Sequence, residues 1–230
     1  MAAITATLVT SGCGSDQAAT PVPTAEQLAS TLITADLYDG VWTVNVPPDA
    51  PDAAASGVVP DELQNMLPKL EMCDAASPES HTAADDLAWK AFRQLDLTVD
   101  DPIQAPDMTG HMIFVQEYLT SAEPAEIETT FNLLRDGMQA CLGDIPASEE
   151  GPGTAQEMTI PNVGDDRFGV LLLIEEAGGG AQWRLHETLV RQGPDLMLLN
   201  VVEITAGEGI EPRYSTDDIN TFITTAVDKL

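Results

Sequence analysis

Three strand-like segments follow one another in the last third of this 230-residue chain, with almost nothing between them. They are Phe168–Glu175, Gln182–Arg191 and Leu196–Thr205. Their connectors, Ala177-Gly178-Gly179-Gly180 and Gln192-Gly193-Pro194-Asp195, are hairpin-like. Links this short cannot hold the crossover that parallel strands require, so the segments predict an antiparallel meander. Val170–Ile174 is apolar without alternation, which predicts a strand covered on both faces.

Around the meander the hydrophobic period changes from two to helical. Thr24 and Gln27 form a capping-box start for a helix over Ala25–Thr34, with Leu28 and Leu32 on one face. In Pro60–Met72 the residues Leu63, Met66, Leu67 and Leu70 form a stripe that Cys73 continues. Pro124–Leu142 carries Ile127, Phe131, Leu134, Met138 and Cys141 in steps of four and three, and Gly143 stands just past its end. Ser215 caps a last helix whose stripe is Ile219, Phe222, Ile223, Ala226 and Leu230.

Further strands are predicted at Trp42–Val46, from Leu87 to about Leu97, at His111–Leu119 and at Ala155–Ile160. Pro47–Val59, Ser77–Asp85 and Asp100–Thr109 read as polar connections. Helices before, between and after antiparallel strands imply an α+β fold, an antiparallel sheet with helices packed on it, in one domain from Thr24 to Leu230.

The N-terminus has a different character. Met1–Cys13 is uncharged and small or apolar, and Val9-Thr10-Ser11-Gly12-Cys13 fits a bacterial lipobox. Residues 1–12 are thus expected to be a signal peptide, which lacks the usual positive start, and Cys13 the lipidated residue. Gly14–Pro23 is polar and proline-punctuated, as a flexible tether would be. On this reading the chain works outside the cytoplasm, anchored to the cell membrane by lipid.

Export leaves Cys73 and Cys141 in an oxidising compartment, so a disulfide between them is the expectation and free buried thiols the alternative. Such a loop contributes about 4 kcal/mol in the chain-entropy model. The formal charge of −29, from 38 acids against 9 bases, argues against nucleic-acid binding and against docking on anionic headgroups.

Chemistry-bearing motifs are scarce. His81, His111 and His186 lack ligand spacing; His186-Glu187 begins like a zincin helix, but Val190 stands where the second histidine belongs. No metal and no cofactor are expected. The acidic doublets Asp85-Asp86, Asp100-Asp101, Glu149-Glu150, Asp165-Asp166 and Asp217-Asp218 have no EF-hand spacing. Trp42, Trp89 and Trp183 are expected to pack in the core, with a role in lining a cleft as the second reading. Arg184, His186 and Thr188 share one strand face with Val190, and this trio reads as a solvated face, with an anion contact as the alternative.

Ala25–Trp42 (AEQLASTLITADLYDGVW) resembles the N-terminal motif of actinobacterial lipoproteins related to the extracellular sensor domain of PknH-type receptor Ser/Thr kinases. Phe131–Cys141 resembles that family's helix ending in cysteine. Asn162-Val163-Gly164-Asp165 resembles its "lGD" turn, and Leu189–Val202 its "vvRxGn" hairpin. The likeness spans about Thr24 to Leu230. It implies a sensor or binding fold with a cleft, cystine staples and no catalysis. The kinase ectodomain has two disulfides, whereas this chain has cysteines for one after Cys13, and no kinase domain lies within its 230 residues.

The function expected is therefore non-enzymatic sensing or binding of a small molecule or an envelope component. An envelope carrier with an apolar cavity for lipid is the alternative, and an unrecognised hydrolase the third reading.

Overall fold

The computed structural model describes residues 21–45, 56–60, 70, 72–103, 109–145, 151–176, 180–207 and 209–230. Cys13, the leader, most of the tether and nearly all of the predicted helix Pro60–Met72 lie outside them. The elements are α1 (Ala25–Thr31), β1 (Trp42–Val44), α2 (Pro78–Asp85), β2 (Ala91–Leu97), β3 (Gly110–Ser121), α3 (Pro124–Ala140), β4 (Gly143–Ile145), β5 (Gly153–Glu157), β6 (Asp166–Glu175), β7 (Ala181–Gln192), β8 (Asp195–Ala206) and α4 (Thr216–Val227). The eight strands form one antiparallel sheet in the order β1-β2-β3-β8-β7-β6-β5-β4.

The meander is present as β6, β7 and β8. Gly193 supplies the positive φ of 58° that the β7–β8 turn requires. Double-sided burial, however, belongs to β8, where all twelve residues are buried. On β6 only Phe168, Gly169 and Val170 are buried, and Leu171–Ile174 are half-buried. The reason is position: β8 lies between two strands as long as itself, whereas β6 lies towards the edge.

Helices pack on both faces. On one, α1 and α4 cover Leu95, Val115, Val190 and Val201. On the other, α3 sets Ile127, Phe131, Leu134 and Met138 against Tyr118, Phe168, Leu189 and Leu198. Phe131 and Leu134 are almost wholly inaccessible, and each contributes roughly 1.5–3 kcal/mol by burial. Cys73 and Cys141 form a disulfide with Cα atoms 5.6 Å apart. It ties the segment before α2 to the C-cap of α3.

Several local expectations are corrected. Residues 77–85 hold α2: Ser77 accepts the Ser80 N–H at 3.1 Å, and Pro78 occupies the first turn. Its surface is polar because only Ser80 and Ala84 face inward, which leaves no apolar stripe to see. Strand β2 starts at Ala91, and residues 87–90 precede it. The capping box of Thr24 and Gln27 is present, but α1 ends at Thr31.

Ionisable side chains clamp the segment after α1. Glu117 Oε2 accepts the Ile33 N–H at 2.6 Å, Arg93 donates to the Ile33 carbonyl at 2.9 Å, and Lys229 to the Leu32 carbonyl at 2.7 Å. They satisfy backbone groups just past α1 that no ladder pairs.

Candidate functional site

Among the described residues, α3 covers only part of the face that carries it. Along β3 the residues on this face run from Met112, 47 % exposed, through half-buried Phe114 and Gln116 to fully buried Tyr118. Along β7 they run from Trp183, 44 % exposed, through half-buried Leu185 and Glu187 to buried Leu189. The buried ends lie under α3. The other ends, with buried Val202 and Ile204 of β8 between them, form an apolar strip beside the helix that is exposed at Met112 and Trp183.

A polar row crosses the sheet at the boundary. The register sets Gln94, Gln116, Asn200 and Glu187 side by side on β2, β3, β8 and β7. At the β2 end the row is bonded: Gln116 Nε2 donates to Gln94 at 2.9 Å, and Gln94 Nε2 and Asn45 Nδ2 both donate to Asp96 at 2.7 Å. Asn45, Gln94 and Asp96 line a depression of about 400 Å³ with Met112 and Phe114.

At Asn200 the bonding stops. Asn200 Oδ1 is buried without a hydrogen-bond partner, and so is the hydroxyl of Tyr118, one step along β3 under α3. Glu187 has no ion pair among the described residues, and burial pushes its carboxyl up to about 7. Burial also raises Tyr118, and the charge of Glu187 adds to that rise, which places the two groups near each other. A buried hydroxyl and amide oxygen without partners are each unfavourable by about 1–3 kcal/mol. A bound polar group would relieve both.

The remaining titratable groups are differently placed. His111 uses both ring nitrogens, on Asp101 and on the Glu211 carbonyl, each at 3.0 Å. His186 is buried with neither nitrogen bonded, and burial lowers it to about 4. Arg184, His186 and Thr188 do share a face, but it is the face that packs α1 and α4, and Arg184 lies 3.7 Å from buried Glu203. The expectation of a solvated trio is thus overturned, because the helices cover that side of β7. His81 sits on α2, away from both other histidines in sequence. Among the described residues no group of three or more His, Cys, Asp or Glu side chains could hold a metal ion.

A larger depression, about 990 Å³, opens between α2, α3 and the end of β3. Its rim includes Glu79, Asp86, Glu123 and Glu126, and its Lys90 already donates to the Ser121 carbonyl at 2.5 Å. None of its lining residues has an unpartnered buried polar atom, so volume alone does not make it the stronger site.

Sequence reading placed Trp42 and Trp89 in the core correctly and Trp183 wrongly. It missed the polar row entirely. The available signals were Asn200 inside the apolar run of β8 and Glu187 between Leu185 and Leu189 on one face of β7.

No protein-family model matches the chain, and no curated protein matches it. Among solved structures it is similar to the extracellular domain of PknH from Mycobacterium tuberculosis, at 12 % identity, over 91 % of this chain and 97 % of that one, with a TM-score of 0.45. It is also similar to LpqN of Mycobacterium tuberculosis, described as involved in cell envelope biogenesis, at 11 % identity over 84 % of each chain and a TM-score of 0.25. A third is the lipid transfer and protein localization domain of human StarD13, at 9 % identity, over 73 % and 90 %, with a TM-score of 0.26. Among the described residues no helix is long and apolar enough to cross a membrane.

Proposed function

We propose that this protein is a non-enzymatic extracytoplasmic binding domain, anchored to the cell membrane through lipid on Cys13. Its ligand is a small molecule or envelope component with an apolar body, held on the partly covered sheet face. One observation carries the reading: exposed Trp183 and Met112 share that face with a buried hydroxyl and amide oxygen that have no partner. An apolar floor with a few convergent polar groups is the common make-up of a small-molecule site. The wall formed by α3 is tied by the Cys73–Cys141 disulfide, which favours a preformed site over one assembled on binding.

The test uses the full chain exported to an oxidising compartment and N-phenyl-1-naphthylamine, a neutral apolar fluorophore. Binding with energy transfer from Trp183 is expected, with transfer reduced in Trp183→Phe and binding weakened in Leu185→Glu. Failure of the probe to bind, or equal behaviour of both variants, would overturn the reading. Native mass spectrometry of the same preparation addresses the carrier alternative, since a lipid retained through purification would mark a carrier.

A further inference from the structure

The polar end of this sheet face has a definite chemical preference. Asn200 Oδ1 and the Glu187 carboxylate are acceptors, and the Tyr118 hydroxyl can accept as well as donate. Neither Asn200 Oδ1 nor the Tyr118 hydroxyl has a protein partner. Among the described residues, no Lys or Arg pairs with Glu187. On the same strand Arg191 is held by Asp165 and Asp166, at 3.4 and 2.5 Å, and Arg184 belongs to the opposite face with Glu203. The strand neighbours of Glu187 are Asn200 of β8 and Val170 of β6, and Tyr118 of β3 lies near it; of these only Tyr118 titrates.

A half-buried carboxylate with no Lys or Arg paired to it among the described residues is a place for a cation. An ammonium has three N–H donors and no acceptor, which matches three oxygen groups at the end of an apolar strip. The protein's charge of −29 draws cations towards it from a distance.

We infer that this sheet face takes an amphiphile with a cationic, ammonium-type head, docked on Glu187, Asn200 and Tyr118, and an apolar body laid towards Trp183. The inference rests on the proposed binding function and names the ligand class for the same site. Fatty acids and other anionic amphiphiles are excluded by the same groups. Because the free carboxyl is half-protonated near neutrality, head binding releases a proton, and affinity for an amine rises from pH 6 to pH 8.

The test is displacement of N-phenyl-1-naphthylamine from the full chain by octylamine, octanol and octanoate, which share one tail. Octylamine is expected to bind about tenfold more tightly than octanol, the difference between a charge-assisted and a neutral hydrogen-bonded head. Octanoate is expected to be the weakest. Glu187→Gln should bring octylamine down to octanol and leave octanol within about twofold. It removes only one of 38 acids, so general attraction to the acidic surface would survive it. Tyr118→Phe should weaken octylamine by a smaller factor. Equal binding of the three heads, or an amine preference untouched by Glu187→Gln, overturns the inference while the binding reading stands. Absence of probe binding overturns the binding reading itself.

Discussion

Glu117 and Ile33 are separated by 84 residues, yet the carboxylate of one accepts the backbone N–H of the other at 2.6 Å inside the protein. This bond fastens the chain leaving α1 to the middle of β3. With Arg93 and Lys229 on the neighbouring carbonyls, it docks the N-terminal motif on the sheet. Replacement Glu117→Ala leaves the Ile33 N–H buried and unpaired, and should lower stability by about 1–3 kcal/mol in urea unfolding. Glu117→Gln keeps an acceptor and should lose less.

The same residue gives stability a pH dependence. Burial raises Glu117 to about 8 and Glu187 to about 7, both above their unfolded value of 4.5. Folding therefore binds protons at these sites, and their contribution is complete below pH 4.5 and lost as pH rises through 7 to 8. His186 acts in reverse: its folded value, about 4, lies below 6.5, so its contribution is lost as pH falls from 6.5 to 4. Between pH 6.5 and 8 the two glutamates act alone of these three. Thermal unfolding should show Tm falling across that window, with a flatter profile in Glu117→Gln. A Tm that rises from pH 6.5 to 8 would contradict the assignment.

Gly137 of α3 lies against Ser80 of α2. A Cβ there would lie 2.8 Å from Ser80 Cβ and 2.7 Å from Met72 Sδ. Met72 can move aside, but Ser80 is fixed by the cap of α2. Gly137→Val should therefore destabilise by about 1–3 kcal/mol, despite the better helix propensity of valine, as measured by denaturant midpoint.

Tyr118 offers a contrast between structure and binding. Its ring packs against Phe92 at 4.7 Å and Trp89 at 5.5 Å, while its hydroxyl is unpartnered. Tyr118→Phe keeps the packing and removes an unsatisfied group, so stability should be unchanged or slightly higher. A loss above about 1 kcal/mol would mean that the hydroxyl is bonded within the fold.

Removing the disulfide with the pair Cys73→Ser and Cys141→Ser should lower stability by about 4 kcal/mol in the loop-entropy model, given a separation of 68 residues. Parallel urea curves of oxidised and reduced protein would check it. The single Cys73→Ser variant should match the pair.

Local signals in the chain marked many of these elements. The three closely spaced apolar segments required antiparallel neighbours because their connectors are too short for anything else. The stripe of Ile127, Phe131, Leu134 and Met138 specified both a helix and its inward face. Helix α2 was hidden because a short helix with two buried residues has no hydrophobic period to detect.

The candidate site was not legible in the same way. Alternation along β7 separates Glu187 from His186, but it does not say which side a helix covers or how far the cover extends. That was decided by the placement of α3 over part of its face and of α1 and α4 over the other face. The sequence by itself determined the antiparallel strands, the main helices and the pairing partners available to two cysteines, because period, turn length and residue chemistry act over short distances. Tertiary structure alone decided that Asn200, Glu187 and Tyr118 meet, since residues up to 82 positions apart become neighbours only through strand register. Only the packed fold buries Asn200 and Tyr118, half-buries Glu187 and leaves Trp183 exposed on the same face.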